Sequence, residues 1–449
     1  MIENVRTRVR LSLIGRKVLP FISSPTRRRL LNGAFWGGVA SVSEKSITLL
    51  CAFAVARILG RTGFGEYGII NNTAGVIGVL AGLGIGHTVT KYVAELKYSD
   101  PVRAGRILAL SFIVTILSAV LYGGSFVIFA PWLAEKTLAA PALVDPLRIS
   151  AITVALGVVN GVQTASLIGC EAFRIRSYIS FVSSLLQAIL VILGAYYWGL
   201  NGAVLALAIG MVVMVVLTKL AIRREWKKYT IKLQWESMWQ EWRVLVDYSL
   251  PTFLILIFLG PVTWATNAFL ANQPNGYAEL GVFNAALQWQ TAIQFLPGVV
   301  CSAMIPVMSE KCGNGRVLDS LVIMKKMIKS VFLIASPLAI LLCLLSPIIM
   351  RGYGVSFADG YIVMVFLVMA GALGAIVAPV GHFVMANGMM WMAFLFNFGW
   401  IISMLVGGWY LVKWGAEGLA VSRLVAIIVH SLLLIVFVKK VSDKIKNIE

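Results

Sequence analysis

The chain has 449 residues, of which 59% are hydrophobic and only 13% charged, with a mean hydropathy of +0.88. Soluble domains carry about 25% charged residues, so a water-soluble enzyme or binding module is excluded and a polytopic membrane protein is expected. The 38 Lys/Arg against 19 Asp/Glu give a net charge of +19, which in a soluble chain would suggest nucleic acid but here reports which loops face the cytoplasm.

Residues 1–30 are basic, with Arg6, Arg8, Arg10, Arg16, Lys17, Arg27, Arg28 and Arg29. No long apolar run there leads to a small-residue cleavage site, so the segment reads as a cytoplasmic tail rather than a signal peptide. A span needs about 20 apolar residues. Twelve candidates follow, at 31–57, 66–88, 105–130, 146–169, 177–198, 202–222, 246–271, 279–308, 327–350, 361–386, 391–412 and 415–438. The expected fold is an all-α polytopic membrane protein of about 12 transmembrane helices. It divides into an N-terminal half (31–222), a cytoplasmic amphipathic linker (223–245), a C-terminal half (246–438) and a cytoplasmic tail (439–449).

The first hairpin is the most distinctive stretch. A helix ends at Arg57-Ile-Leu-Gly60, and a turn is expected over Arg61-Thr-Gly-Phe-Gly65, where Gly60, Gly63 and Gly65 can take positive φ. A second helix is expected from Tyr67 to about His87, ridged by Gly75, Gly78, Gly82 and Gly86, spacing that suits close helix packing. The linker holds Trp226, Trp235, Trp239 and Trp242 and reads as an amphipathic helix at the headgroup boundary.

Charge fixes the expected orientation. With both termini cytoplasmic, the outward loops hold only Arg57, Arg61, Lys136, Arg148, Arg351 and Lys413, and Lys45 and Arg423 lie inside spans. Every other Lys/Arg faces inward, as the positive-inside rule requires.

The halves repeat. Phe64-Gly-Glu-Tyr-Gly-Ile69 opens the second span and Tyr277-Ala-Glu-Leu-Gly-Val282 the eighth, with Asn71 and Asn284 following in register. Trp198-Gly-Leu-Asn-Gly202 and Trp414-Gly-Ala-Glu-Gly418 open the sixth and twelfth. Six spans is an even number, so the halves are parallel repeats about an axis along the membrane normal, with a site expected at a central cavity between them.

Charge inside a bilayer usually marks a pathway. Glu44 and Lys45 lie mid-span, on a stripe with Ser41 and Thr48. They either line the cavity or pair with a neighbouring helix. Arg423 and, seven residues on, His430 share a face of the twelfth span; Arg423 either lines the cavity or snorkels outward, while His430, like His87 and His382, reads as a core histidine. Asn71, Asn284, Gln288 and Gln294 are amides suited either to sugar hydroxyls or to joining helices, with Asn160, Gln163 and Gln187 as weaker candidates. Arg57 and Arg61 sit at the outer mouth. The sequence holds no P-loop, nucleophile elbow or clustered metal ligands, so neither an enzyme nor a cofactor is expected. The five cysteines read as small hydrophobes.

The ordered pattern Arg57-x-Leu59-Gly60-x-x-x-Phe64-Gly65-x-Tyr67, a glycine-rich helix, then Thr90-Lys91-x-x-Ala94-Glu95 resembles the Wzx-type O-antigen and polysaccharide flippases of the multidrug/oligosaccharidyl-lipid/polysaccharide (MOP) exporter superfamily. The resemblance implies a bacterial inner-membrane protein that moves an undecaprenyl-diphosphate-linked oligosaccharide from the cytoplasmic to the periplasmic leaflet, driven by an ion gradient. It also implies a polysaccharide polymerase and a chain-length regulator as partners. On that reading Lys45 and Arg423 would meet the diphosphate, Asn71, Asn284, Gln288 and Gln294 the sugars, and Glu44 would couple the ion. Two alternatives are a cation-coupled multidrug exporter, which should offer carboxylates to a positive substrate, and a non-transporting scaffold of a glycan assembly complex.

Overall fold

A computed structural model describes residues 25–250, 253, 257, 259–313, 317–386 and 390–446. The part of the basic tail before residue 25 lies outside the described residues. Within them no strand forms. The long helices are α1 (Pro25–Gly82), α2 (Ile85–Leu96), α3 (Pro101–Trp132), α4 (Val144–Gly169), α5 (Phe173–Lys228), α6 (Leu259–Ala271), α7 (Gly276–Gly313), α8 (Val317–Tyr353), α9 (Tyr361–Ala386), α10 (Met390–Leu411) and α11 (Gly415–Lys446).

α1 and α5 are each two spans folded into a hairpin. In α1 the reversal is a single residue, Gly60, at φ 70° and ψ −178°, a conformation that costs a Cβ-bearing residue heavily. Arg61–Gly65 are already helical, so the five-residue turn expected from the sequence shrinks to one glycine. In α5 the reversal is Trp198-Gly199, with Gly199 at φ 58° and ψ −138°. Its repeat counterpart Gly415, between α10 and α11, takes φ 65° and ψ −144°. The two glycines of the Trp-Gly motifs therefore adopt the same backbone conformation, as the repeat requires. Among the described residues, seven continuous helical runs are long and apolar enough to cross a membrane, and those bent at Gly60, Gly199 and Gly415 cross twice. Their outer faces carry large apolar side chains such as Leu121, Ile128, Leu344 and Ile348, as a surface against lipid must.

The second arm of α1 stops at Gly82 rather than near His87. Leu83 (φ 47°) and Gly84 (φ 68°) both turn left-handed, and α2 starts afresh, burying Ile85, Val89, Val93 and Leu96. The linker also departs from expectation. α5 continues to Lys228, Thr230 takes φ 55°, and the chain then crosses the start of α3 as a strap rather than an amphipathic helix. The Gln234 backbone N–H donates to Gly105 O at 3.4 Å, and a Cβ on Gly105 would stand 1.9 Å from Lys232 O. Buried Glu241 binds Arg103 and Arg106, each at 3.1 Å. Trp235, Trp239 and Trp242 nonetheless face outward. The strap stays with the N-terminal half through Ser249, whose hydroxyl lies 2.6 Å from that of Thr88.

The core is divided unequally between the two ends of the molecule. At the end carrying the Gly60, Gly199 and Gly415 reversals (the kink end) one cluster joins both halves, with Val55, Phe64 and Phe126 packed among residues such as Phe283, Tyr353 and Phe357. At the opposite, linker end the cores are separate. One holds Val89, Ile107 and Val162 of the N-terminal half, and the other Met324, Phe383, Phe396 and Leu434 of the C-terminal half. Among the described residues the halves share one core at the kink end and have separate cores toward the linker end. The second arm of α1 nevertheless stays on α6, where Trp264 Nε1 donates to Thr73 Oγ1 at 2.8 Å.

Candidate functional site

Between the two halves a cavity of about 410 Å³ opens, walled by α1, α5 and α7. The first arm of α1 contributes Glu44, Thr48, Cys51 and Val55, one face of a helix at steps of three and four. Its second arm contributes Phe64, Tyr67, Gly68 and Asn71; α5 gives Ser184 and Gln187, and α7 gives Asn284, Gln288 and Thr291. Glu44 lies about 24 Å along the helix from Gly60, toward the open end of the cavity rather than at mid-span.

Two amides are placed for a ligand. Asn284 lies over Gly68, where a Cβ would stand 1.9 Å from Asn284 Nδ2. The missing side chain at Gly68 is what makes room for that amide. Asn284 Nδ2 and Gln288 Oε1 are buried without a hydrogen-bond partner among the described residues. Leaving such a group unpaired costs about 1–3 kcal/mol, so a hydroxyl-rich ligand would relieve both.

The structure thus brings Glu44, Asn71, Asn284 and Gln288 together, and leaves three other predicted residues apart. Lys45 is exposed and does not line this cavity, because it lies about 100° round the helix from Glu44. Arg423 sits within the C-terminal half, its Nη1 buried and unpartnered among the described residues. Gln294 turns toward α9, its Nε2 3.5 Å from Gly371 O. The expected cationic lining is therefore not what these walls present: Glu44 is their charged residue. Ser184 was missed, although Ser180, Ser183 and Ser184 mark a polar face on the fifth span. The glycine ridge also differs from expectation. Gly75, Gly78 and Gly82 have open space where a Cβ would be. With Gly157 and Gly161 they wall a second cavity of about 430 Å³ that shares Asn71 with the first.

The kink end is closed by the two arginines of the hairpin. Arg57 Nε donates to Gly352 O at 2.8 Å. Arg61 donates to Ala278 O at 3.0 Å, Ser356 O at 3.1 Å, Asp359 Oδ2 at 2.8 Å and Glu279 Oε1 at 2.7 Å. The other oxygen of Glu279 accepts from the Ala416 backbone N–H at 2.9 Å. Beneath them the backbones touch: a Cβ on Gly65 would stand 1.8 Å from Tyr277 O, and one on Gly281 2.1 Å from Arg61 O. Elsewhere the cysteine reading fits. Burial pushes the Cys170 thiol, at the α4–α5 turn, up to about 11, where it stays protonated and inert.

A family model described as "Polysaccharide biosynthesis protein" matches residues 30–311. The EPS I polysaccharide export inner membrane protein EpsE of Ralstonia solanacearum is 30% identical over 79 residues, a segment spanning 18% of this chain and 18% of the relative. The fold matches that of lipid II flippase MurJ in an inward closed conformation, with a TM-score of 0.72, 14% identity, and 89% and 87% of the two chains covered. It matches an inward-facing multidrug resistance MATE family transporter of the MOP superfamily with a TM-score of 0.69, 16% identity, and 89% and 96% covered.

Proposed function

The chain belongs to the polysaccharide biosynthesis protein family, and from that premise we propose that it is a flippase. Its substrate is an undecaprenyl-diphosphate-linked oligosaccharide, carried from the cytoplasmic to the periplasmic leaflet of the bacterial inner membrane by alternating access. The observation that carries the reading is the pair of amides, Asn284 and Gln288, unpartnered among the described residues in a cavity between the two halves. Amides suit sugar hydroxyls, which both accept and donate. The basic segments of the sequence fall toward the linker end, which the positive-inside rule would set in the cytoplasm, and on this reading the cavity faces the cytoplasm.

On this reading the polyprenyl tail stays in lipid while the head group passes between the halves. Lys45, exposed beside the open end, receives the diphosphate. Asn71, Asn284 and Gln288 receive the sugars, and Glu44 couples the driving ion. Closure of the linker end and release of Arg57 and Arg61 would expose the cavity to the periplasm. A polysaccharide polymerase and a chain-length regulator would act on what is delivered.

The test is a deletion in the native bacterium, with the lipid-linked oligosaccharide located across the membrane. Trapping on the cytoplasmic face, with surface polysaccharide lost and restored by the wild-type gene, is expected. Unchanged surface glycan would overturn the reading. A second reading, export of cationic drugs, is favoured by one observation: Glu44 supplies the charge on the cavity wall. It requires the deletion strain to become sensitive to lipophilic cations.

A further inference from the structure

A polar cavity of about 450 Å³ lies at the linker end of the N-terminal half, walled by the start of α1, the α4–α5 turn and the end of α5. The turn shapes the wall. α4 stops at Gly169, where a Cβ would stand 2.7 Å from Val93 Cβ, and Glu171 turns left-handed at φ 59°. Lys97 caps the end of α4, its Nζ donating to Gly169 O at 3.1 Å and to Glu171 Oε1 at 2.8 Å. The same Nζ lies 5.5 Å and 5.6 Å from the ring centroids of Tyr98 and Tyr229. With its side chain 2% exposed, Lys97 is closed to any ligand. Glu225, its side chain 5% exposed, pairs with Lys228 at 2.6 Å.

These two pairs leave Arg174 over. It lines the cavity and makes no ion pair among the described residues. Its guanidinium carbon stands 5.5 Å from the ring centroid of Trp36 and 5.8 Å from that of Tyr178. The Ser177 hydroxyl donates to Trp36 O, which ties α1 to α5 at this ring. A cation–π contact holds the guanidinium in place but satisfies none of its five N–H donors. Lys228 is 62% exposed, and Glu225 takes only one of the three donors an ammonium has. The cavity therefore carries one positive charge in excess and free donors on two cations. A phosphodiester has the matching single charge, and the arginine fork fits its oxygens.

The surface next to Arg174 says what carries the phosphate. One helical turn further along α5, Tyr178 opens an apolar face that continues through Phe181, Val182, Leu185 and Ile189, all more than 40% exposed. Such a stripe lies against lipid chains. We propose that Arg174 and Lys228 bind the phosphate of a membrane lipid whose chain runs along this stripe. The site is separate from the cavity between the halves, and on the orientation proposed above it stands at the cytoplasmic headgroup level. Two lipids share the chemistry: a phospholipid, and the polyprenyl diphosphate end of the proposed substrate. The same two helices lead on to the glycan cavity, from Trp36 to Glu44 on α1 and from Arg174 to Ser184 on α5, about 12–15 Å along each. A polyprenyl diphosphate held at Arg174 would thus wait at the entrance. The binding claim stands without the flippase reading; only this second source rests on it.

The experiment is calorimetric titration of the full-length protein in neutral detergent with three probes: dioctanoylphosphatidylglycerol, farnesyl diphosphate, and dioctanoylglycerol, which lacks the phosphate. A phosphate probe should bind and dioctanoylglycerol should not. Arg174 is exposed and both buried ion pairs survive its loss, so Arg174→Gln should keep the wild-type unfolding temperature while binding about tenfold more weakly. Arg174→Lys, which keeps the charge but not the fork, should fall between. Arg223→Gln removes an exposed arginine of α5 outside the cavity and should bind as the wild type does. Binding of phosphatidylglycerol identifies a phospholipid as the occupant; binding of farnesyl diphosphate alone identifies the substrate's own diphosphate. The proposal is overturned if neither phosphate probe binds, if dioctanoylglycerol binds as well as they do, if Arg174→Gln binds as the wild type does, or if Arg223→Gln weakens binding equally. No transport is measured, so this result and the fate of the flippase reading are separable.

Discussion

Arg61 Nη2 lies 2.7 Å from Glu279 Oε1, joining the first hairpin of one half to the first turn of α7 in the other. Both side chains are largely shielded, at 20% and 28% exposure, whereas Asp359, the second partner of Arg61, is 66% exposed. The Glu279 contact is therefore the stronger of the two. If kink-end closure is half of an alternating cycle, this pair is its latch. Glu279→Gln should weaken it by about 2 kcal/mol, shifting the closed-to-open ratio about 30-fold. Spin labels at Thr62 and Val355 would read the change as a longer distance. An unaltered distribution would mean that the apolar cluster alone keeps this end shut.

The glycines of the hairpins should divide sharply. Gly281→Ala places a Cβ 2.1 Å from Arg61 O, so the backbones must separate, and the variant should unfold at lower temperature and sample an open kink end. Gly75→Ala meets open space and should gain up to about 1 kcal/mol from helix propensity. Thermal unfolding in detergent distinguishes them. Equal behaviour would contradict the close crossing.

Asn284 and Gln288 offer a signature that a structural residue would not show. Each has a buried polar atom without a partner, so Asn284→Leu or Gln288→Leu should leave stability unchanged or raise it by about 1 kcal/mol. Surface polysaccharide in a complemented deletion strain should fall in both. A large loss of stability would mean the amides join helices.

Glu44 and Lys45 are exposed, so Glu44→Gln and Lys45→Ala should change stability by less than about 0.5 kcal/mol. Both should still abolish glycan export, Lys45→Ala by weakening capture of the diphosphate and Glu44→Gln by uncoupling the ion. Normal export in Lys45→Ala would assign the diphosphate to another cation.

Much of the fold was legible because it follows from local rules. Apolar run length sets the spans, and the paired Trp-Gly motifs mark the reversals that Gly199 and Gly415 then make in the same conformation. The amide face Asn284-Gln288-Thr291 could be read from helical spacing alone. What could not be read depends on rotation about helix axes and on packing between distant segments. Lys45 and Glu44 are neighbours in sequence yet only one reaches the cavity wall. The glycine ridge has packing spacing but faces a void, which only the position of α4 decides. His382 and His430 line one small cavity from α9 and α11, a juxtaposition no sequence period encodes.

The most direct test of the central claim is flipping itself. Lipid-linked oligosaccharide extracted from the deletion strain would be reconstituted with the purified protein in liposomes, and the fraction accessible at the outer leaflet followed with time under an imposed proton or sodium gradient. The account predicts rapid equilibration with the wild type, none in empty liposomes, and a marked slowing with Asn284→Leu. Equal rates with and without the protein would contradict it.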